Sequence, residues 1–512
     1  MNLLRSAATV SVLTLVSRVF GYVRDILIAA ALGAGPVMQA YVVAFKLPNL
    51  FRALFAEGAF NAAFVPFFSK KLVEGEAEAM QAASMIFHLQ WMVVLGFVAI
   101  SEIAMPLVVI MLAPGFSQDA ELLALTTKFA RITMPYLWFI ALVSMLASLL
   151  QCKGRFAAAS AAPIILNLCM ILGLLSCRYM GGDAGLSLVW SIEVAGALQL
   201  VSLWWACRRI GLVIHWRKPI VTPEVKTMFK AMVPGLVGSA GTQLNLLINT
   251  MIASWVSGAL AYLYYADRMM QLPLALIGTA LGTALLPLLS QHLRRHEEKQ
   301  AQVAQNRAVE FGLLLTLPCA GALGVLALPI ITILFERGAF TASESIMTAK
   351  VLQAFVTGLP AFVLVKLLTP AFFARGDTKT PVRIALSCIL VNLAFNAAMV
   401  PWLGTVAIAL STAFTAWANT GWLIWVLYQR RHWHMDKALW TRLWRMLLAT
   451  LLMMVVLALA MQGAETWLAH AHLGRRVIAL MAVMFAGGVS YLAAAHLLGA
   501  CAFKEWWQLL RR

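Results

Sequence analysis

The sequence predicts an all-α polytopic membrane protein of about fourteen transmembrane helices, in two six-helix lobes followed by two C-terminal helices. Three observations carry this: the composition, the spacing of apolar runs and the alternation of basic loops. Of the 512 residues, 62% are hydrophobic and 12% charged, and the mean hydropathy is +0.85. A water-soluble chain carries about 25% charged residues, so lipid must cover much of this apolar surface. Runs of about 20 apolar residues, enough to cross ~30 Å of hydrocarbon, recur along the whole chain. They place helices at 8–32, 38–68, 84–112, 122–150, 157–178, 185–207, 226–256, 260–290, 306–335, 345–373, 380–400, 404–428, 440–462 and 476–500.

The first of these begins basic and then turns apolar, as a signal peptide does. It lacks a clear cleavage site, and its apolar run continues through Arg18 and Arg24 to Ala31, which favours a retained helix. Every second connection is basic: Lys70/Lys71, Lys153/Arg155, Arg208/Arg209 with Arg217/Lys218, Arg294/Arg295 with Lys299, Arg375/Lys379, and Arg430/Arg431 with Lys437. The connections around 33–37, 113–121, 257–259 and 401–403 carry no Lys or Arg. This alternation puts the basic loops and both termini in the cytoplasm. Glu336/Arg337 and Arg475/Arg476 run against it. The formal charge of +18 reads as topology and contact with anionic lipid, not as a nucleic-acid surface.

An internal duplication orders the helices. Leu47-Pro48 followed by Pro66-Phe67-Phe68-Ser69 matches Leu272-Pro273 followed by Pro287-Leu288-Leu289-Ser290, about 225 residues later. Lys153-Gly154-Arg155 leading to Asn167 matches Arg375-Gly376-Asp377 leading to Asn392, and Ala113-Pro114-Gly115-Phe116 more loosely matches Arg337-Gly338-Ala339-Phe340. The resulting division is 1–218 for an N-lobe, 219–436 for a C-lobe and 437–512 for an appended pair. Transporters built from such repeats hold substrate between the halves and alternate access by rocking them.

Ionisable residues at membrane depth are the informative ones, because each costs several kcal/mol unless it faces water, a partner or substrate. The first helix carries Ser17, Arg18, Arg24 and Asp25 around Gly21. The second carries Lys46, Asn49, Arg52 and Glu57 around Pro48, and the eighth carries Asp267 and Arg268 ahead of Pro273. Internal ion pairs (Arg18 with Asp25, Arg52 with Glu57, Arg268 with Asp267) do not balance, since the cations outnumber the carboxylates. Surplus buried guanidinium groups suit phosphate oxygens, which they bind bidentately. Glu102, Lys128, Arg131, Glu193 and Lys366 read mainly as packing or hydrogen-bonding groups. The glycine run at 235–241 lies in an apolar helix without a preceding strand, so it reads as helix packing. The seven cysteines are single, His432/His434 and His470/His472 lack further ligands at metal spacing, and no Ser-His-Asp or Cys-His set converges. We therefore expect a transporter, without metal, organic cofactor or hydrolytic centre, and most simply a monomer.

Met1-Asn2-Leu3-Leu4, Ser17-Arg18-Val19 with Gly21, Arg24-Asp25, the segment AFKLPNLFRALFAEGAFNAAFVP at 44–66 and Tyr264-Tyr265-Ala266-Asp267-Arg268 closely resemble the MurJ (MviN) family. Its members are lipid II flippases of the multidrug/oligosaccharidyl-lipid/polysaccharide exporter superfamily, and the resemblance runs the full length. It implies two lobes around a cationic cavity and a hydrophobic groove from the last two helices. It also implies outward translocation of lipid II across the bacterial inner membrane by alternating access, with membrane lipids and cell-wall synthesis proteins as further partners. Arg18, Arg24, Arg52 and Arg268 match the family's cavity arginines, and Ser17, Asp25 and Asp267 match polar neighbours. The substrate-binding set is then Arg18, Arg24, Arg52, Arg268, Ser17, Lys46 and Asn49, while Asp25, Glu57 and Asp267 form the gating or ion-pairing set. Gln39 and Gln271 stand where carboxylates are expected and Ala261 where a serine is, which bears on any counter-ion role. Coupling to membrane potential or to a cation stays open, as do two rivals: another transporter of the superfamily and a non-transporting scaffold.

Overall fold

The computed structural model describes residues 3–55, 58–216, 222–470 and 472–500, with side chains for 8–52, 60–216, 222–233, 243–463 and 472–500. Glu57, Arg217, Lys218, Cys501 and the side chains of 235–241 and His470 lie outside these ranges. The described residues are predominantly helical, and no strand occurs among them. Ten of the helical spans among them are long and apolar enough to cross a membrane.

The chain divides into two compact units, Met1–Ala261 with Arg337–Phe340, and Tyr262–Glu336 with Thr341–Arg512. The repeat boundary at 218/219 and the packing boundary at 261/262 therefore mark different divisions. In unit 1, α1 (Leu3–Leu32) packs on α8 (Ala157–Met180), and α8 on α9 (Ala184–Arg209). Next come α2 (Pro36–Phe55) on α6 (Ala120–Thr133), α3 (Gly58–Glu74) on α4 (Glu76–Ile103), and α7 (Tyr136–Cys152) on both α4 and α9. The short α5 (Met105–Leu112) meets α6, and α10 (Pro223–Ala253) packs on α3 and α2. In the most apolar 18-residue stretch of 120–152, 72% of the residues are buried, against 28% in that of 157–180. The former is thus the core of the unit, and the latter turns residues such as Leu172 outward to lipid.

Unit 2 comprises α11 (Ala259–Pro273) from Tyr262 onward, α12 (Ala280–Arg294), α13 (Glu298–Val325), α14 (Ala327–Phe335), α15 (Ala342–Val356), α16 (Leu359–Phe373), α17 (Lys379–Leu403), α18 (Thr405–Gln429), α19 (Lys437–His470) and α20 (Leu473–Leu497). Here α17 packs on α18, α16 on α18 and α13, α12 on α13, and α14 on α15. These pairings mirror α8 on α9, α7 on α9 and α4, α3 on α4, and α5 on α6. The appended α19 and α20 lie on each other and on α13, where the Tyr491 hydroxyl donates to the Leu314 carbonyl (2.7 Å).

The breaks repeat as well. Spans expected to be continuous at 84–112 and 306–335 are interrupted at Ala104 (φ −89°, ψ 9°) and Leu326 (φ −94°, ψ 13°), just before Pro106 and Pro329. Proline lacks the N–H that would continue the ladder. Two turns match closely: Arg155 N donates to Leu150 O after Gly154 (φ 70°), and Asp377 N donates to Phe372 O after Gly376 (φ 78°). Both are αL helix ends of the kind glycine adopts without strain. Ion pairs fasten the same corner in each unit, Lys153 with Glu76 (2.5 Å) and Arg375 with Glu298 (3.2 Å).

Candidate functional site

Adjacent residues on a helix face different ways, yet the arginine side chain is long enough to fold back. In α1 the Arg24 Nε and Nη2 donate to Asp25 Oδ1 at 3.0 and 2.7 Å, with Arg24 7% and Asp25 3% exposed. Arg24 Nη1 donates to Asn167 Oδ1 (2.8 Å), and Asn167 Nδ2 donates to the Ser17 carbonyl (2.9 Å). Asn167 on α8 thus ties both ends of the polar stretch in α1. A Cβ at Gly21 would meet Asn167 at 3.7 Å, an ordinary contact, so space alone does not demand glycine there.

This corrects one pairing considered from sequence. Asp25 serves Arg24, not Arg18. Among the described residues Arg18 forms no ion pair and is half-buried. Between Ser17 and Asp25 of α1 the cationic surplus therefore resides at Arg18.

Pro48 shapes α2. Its missing N–H leaves the Ala44 carbonyl without its helical donor, and the buried Thr133 hydroxyl of α6 donates to that oxygen (3.0 Å). Lys46, Asn49 and Arg52 follow at three-residue steps, on adjoining faces. Lys46 Nζ donates to Thr250 Oγ1 of α10 (2.8 Å), and that hydroxyl donates to Leu246 O (2.6 Å). Asn49 Nδ2 donates to Phe45 O (2.8 Å), and Arg52 is half-buried. Gln39, 5% exposed, accepts from the backbone N–H of Gly258 (3.1 Å). An amide oxygen therefore fills the acceptor role at that position. Ala261 is fully buried.

In unit 2, Arg268 Cζ lies 4.7 Å over the Tyr264 ring, and its Nη1 donates to Gln271 Oε1 (3.3 Å). Gln271 Nε2 in turn donates to Asp267 Oδ2, so Gln271 bridges the two charges. After Pro273 the backbone widens into a π-helical turn, Leu274–Thr279, a local form frequent at functional sites. Thr279 Oγ1 accepts from Lys366 Nζ of α16 (3.2 Å).

Two participants escaped the sequence reading of the site. Asn167 was visible as a repeat marker, though not as the partner of Arg24. Thr250 carried no signal. Glu193, read from the sequence as a packing or hydrogen-bonding group, caps the Pro135 break by accepting from Tyr136 N (2.8 Å). Lys128 and Arg131 are exposed.

Residues 28–478 match the family model described as Lipid II flippase MurJ. The probable lipid II flippase MurJ of Rhizobium meliloti is 40% identical over 514 residues, covering 98% of this chain and 95% of the relative. That of Rhizobium tropici is 42% identical, covering 92% and 88%. Among solved structures, a lipid II flippase MurJ in an inward closed conformation matches with a TM-score of 0.80 at 24% identity, covering 98% of this chain and 99% of that one. An inward-facing multidrug resistance MATE transporter of the MOP superfamily matches with a TM-score of 0.65 at 13% identity, covering 81% and 94%. Those structural likenesses establish the fold.

Proposed function

We propose, from the premise that the chain belongs to the Lipid II flippase MurJ family, that it carries undecaprenyl-diphosphate-linked peptidoglycan precursor outward across the bacterial inner membrane. It is a multi-pass transporter, and translocation by alternating access requires no covalent chemistry. The observation that carries the reading is the half-buried Arg18 of α1, a guanidinium without an ion-pair partner among the described residues. It lies one helical face from a neutralised Arg24–Asp25 pair. A cation held this way at membrane depth is costly unless an anion visits it, and the substrate's diphosphate supplies two phosphate groups.

In this reading Arg18, Arg52, Lys46 and Asn49 bind the diphosphate through unit 1, with Arg24 and Ser17 holding that face in place. Asp25 fixes Arg24. Arg268 is the corresponding cation of unit 2, oriented by Gln271, Asp267 and the Tyr264 ring, and Glu57 acts in ion pairing. The prenyl tail follows lipid or the α19/α20 pair. The two termini lie in the cytoplasm, as the charge alternation requires. An inside-negative potential favours outward movement of an anionic head group by ~2.3 kcal/mol per charge per 100 mV, and no cofactor is needed.

The test is lipid II translocation in cells depleted of other flippases and supplied with this chain or its Arg18→Ala variant. We expect outward signal with the parent and its loss with Arg18→Ala at unchanged membrane abundance. Unchanged translocation when the parent itself is removed would reject the assignment.

A further inference from the structure

A second cationic site lies away from the residues above, at the end of unit 1 where α7 turns into α8. A cavity of about 480 Å³ opens there, and its lining includes Arg155, Phe156, Trp205, Arg209 and Ile210. Among the described residues no carboxylate lines it. Arg155 is held at its mouth by the αL turn at Gly154, in which Arg155 N donates to Leu150 O (2.8 Å). Arg209, one turn beyond Trp205 on α9, lays its guanidinium 3.4 Å above the indole ring. Stacking of this kind orients the guanidinium and leaves its in-plane N–H groups available. Among the described residues neither arginine forms an ion pair.

The duplication supplies an internal control. In unit 2 the matching turn carries Asp377 where unit 1 carries Arg155, and Asp377 Oδ2 binds Arg430 Nη1 at 2.6 Å. The corner in unit 2 is thus neutralised from within. The same corner in unit 1 presents two guanidinium groups, with Ala157 and Ala158 at the start of α8, whose first turn contains no acidic residue and no side-chain cap. The adjoining outer face of α9 is apolar and exposed at Leu198, Val201, Trp204 and Trp205, as an acyl chain requires. Basic pockets between helices at a membrane surface recognise phosphate head groups.

We infer that this cavity binds the phosphate head group of an anionic phospholipid, with its acyl chains along α9, separately from the transported substrate. The site therefore stands or falls independently of the flippase reading.

The test uses the full chain in phosphatidylcholine nanodiscs doped with a photoreactive phosphatidylglycerol. We expect adducts in the segments 150–158 and 205–210. Arg155→Ala or Arg209→Ala should each weaken labelling about fivefold, and both together about 25-fold, as expected for ~1 kcal/mol per basic residue near a membrane surface. Arg155→Asp, which copies the unit 2 arrangement, should abolish labelling, while Arg155→Lys with Arg209→Lys should retain most of it. Monodisperse elution of each variant certifies its fold. The inference is overturned if Arg155→Asp labels like the parent, or if a phosphatidylcholine probe labels these segments equally. It is also overturned if undecaprenyl diphosphate displaces the probe while excess unlabelled phosphatidylglycerol does not.

Discussion

Replacing Asp25 by alanine probes the buried network that separates a structural arginine from a functional one. The carboxylate receives two bonds from Arg24, at 3.0 and 2.7 Å, and both residues are more than nine-tenths buried. Removing it strands a guanidinium whose remaining contacts include Asn167 Oδ1 (2.8 Å). Breaking a buried pair in this way costs about 3–5 kcal/mol, and two hydrogen bonds to a charged group at about 1.5–3 kcal/mol each give an overlapping range of about 3–6 kcal/mol. The lower end, about 3 kcal/mol, applies here, because a helix in the bilayer finds substitute partners when it unfolds. Equilibrium unfolding in mixed detergent–SDS micelles measures the loss. A cycle of Arg24→Ala, Asp25→Ala and the double variant should return a coupling above about 1 kcal/mol. By contrast Arg18→Ala should stay within about 0.5 kcal/mol of the parent while losing translocation. Should Asp25→Ala unfold at the same SDS fraction as the parent, or the coupling fall below about 0.5 kcal/mol, the division between Arg24 and Arg18 is wrong.

Further outcomes follow from particular contacts. Thr250→Val removes the 2.8 Å acceptor of Lys46 and should cost about 1–2 kcal/mol in the same unfolding assay. Gly338→Ala should sharply lower membrane abundance, because a Cβ there would sit 2.2 Å from the Ala30 carbonyl at a φ of +60°. Gly488→Ala, with nothing among the described residues within 4 Å, should be neutral or stabilising by up to about 1 kcal/mol. Asp377 supplies a pH dependence. Burial raises its carboxyl, but hydrogen bonds from Thr380 and Arg430 outweigh burial and lower it to about 2 from 3.8. Its folded value is depressed, so its contribution is complete above about pH 4 and is lost as the pH falls towards 2. Thermal unfolding across that window should show a drop in the parent that Asp377→Asn abolishes.

The charged residues of the first two helices and of α11 were conspicuous in the sequence because hydrocarbon makes each of them expensive. Their partners were not. Asn167 lies far along the chain from Arg24, and nothing near either residue marks the other. Lys46 and Thr250 are similarly remote. The sequence allowed Asp25 to pair with Arg18, since residues seven apart share a helix face. The structure pairs it with its neighbour, because Asn167 draws the Arg24 guanidinium to that side of α1. Gln271 looked like a lost carboxylate, and it proves to be the bridge between Arg268 and Asp267.

The helical membrane class was readable from the chain alone, since hydropathy over a bilayer's thickness is a local property, as is the recurrence of Leu-Pro and basic-Gly turns. Which cation is neutralised and which corner of the repeat stays positive were settled by tertiary packing. Such outcomes depend on which side chains from distant helices reach within about 3 Å of one another, and a one-dimensional pattern does not encode that distance.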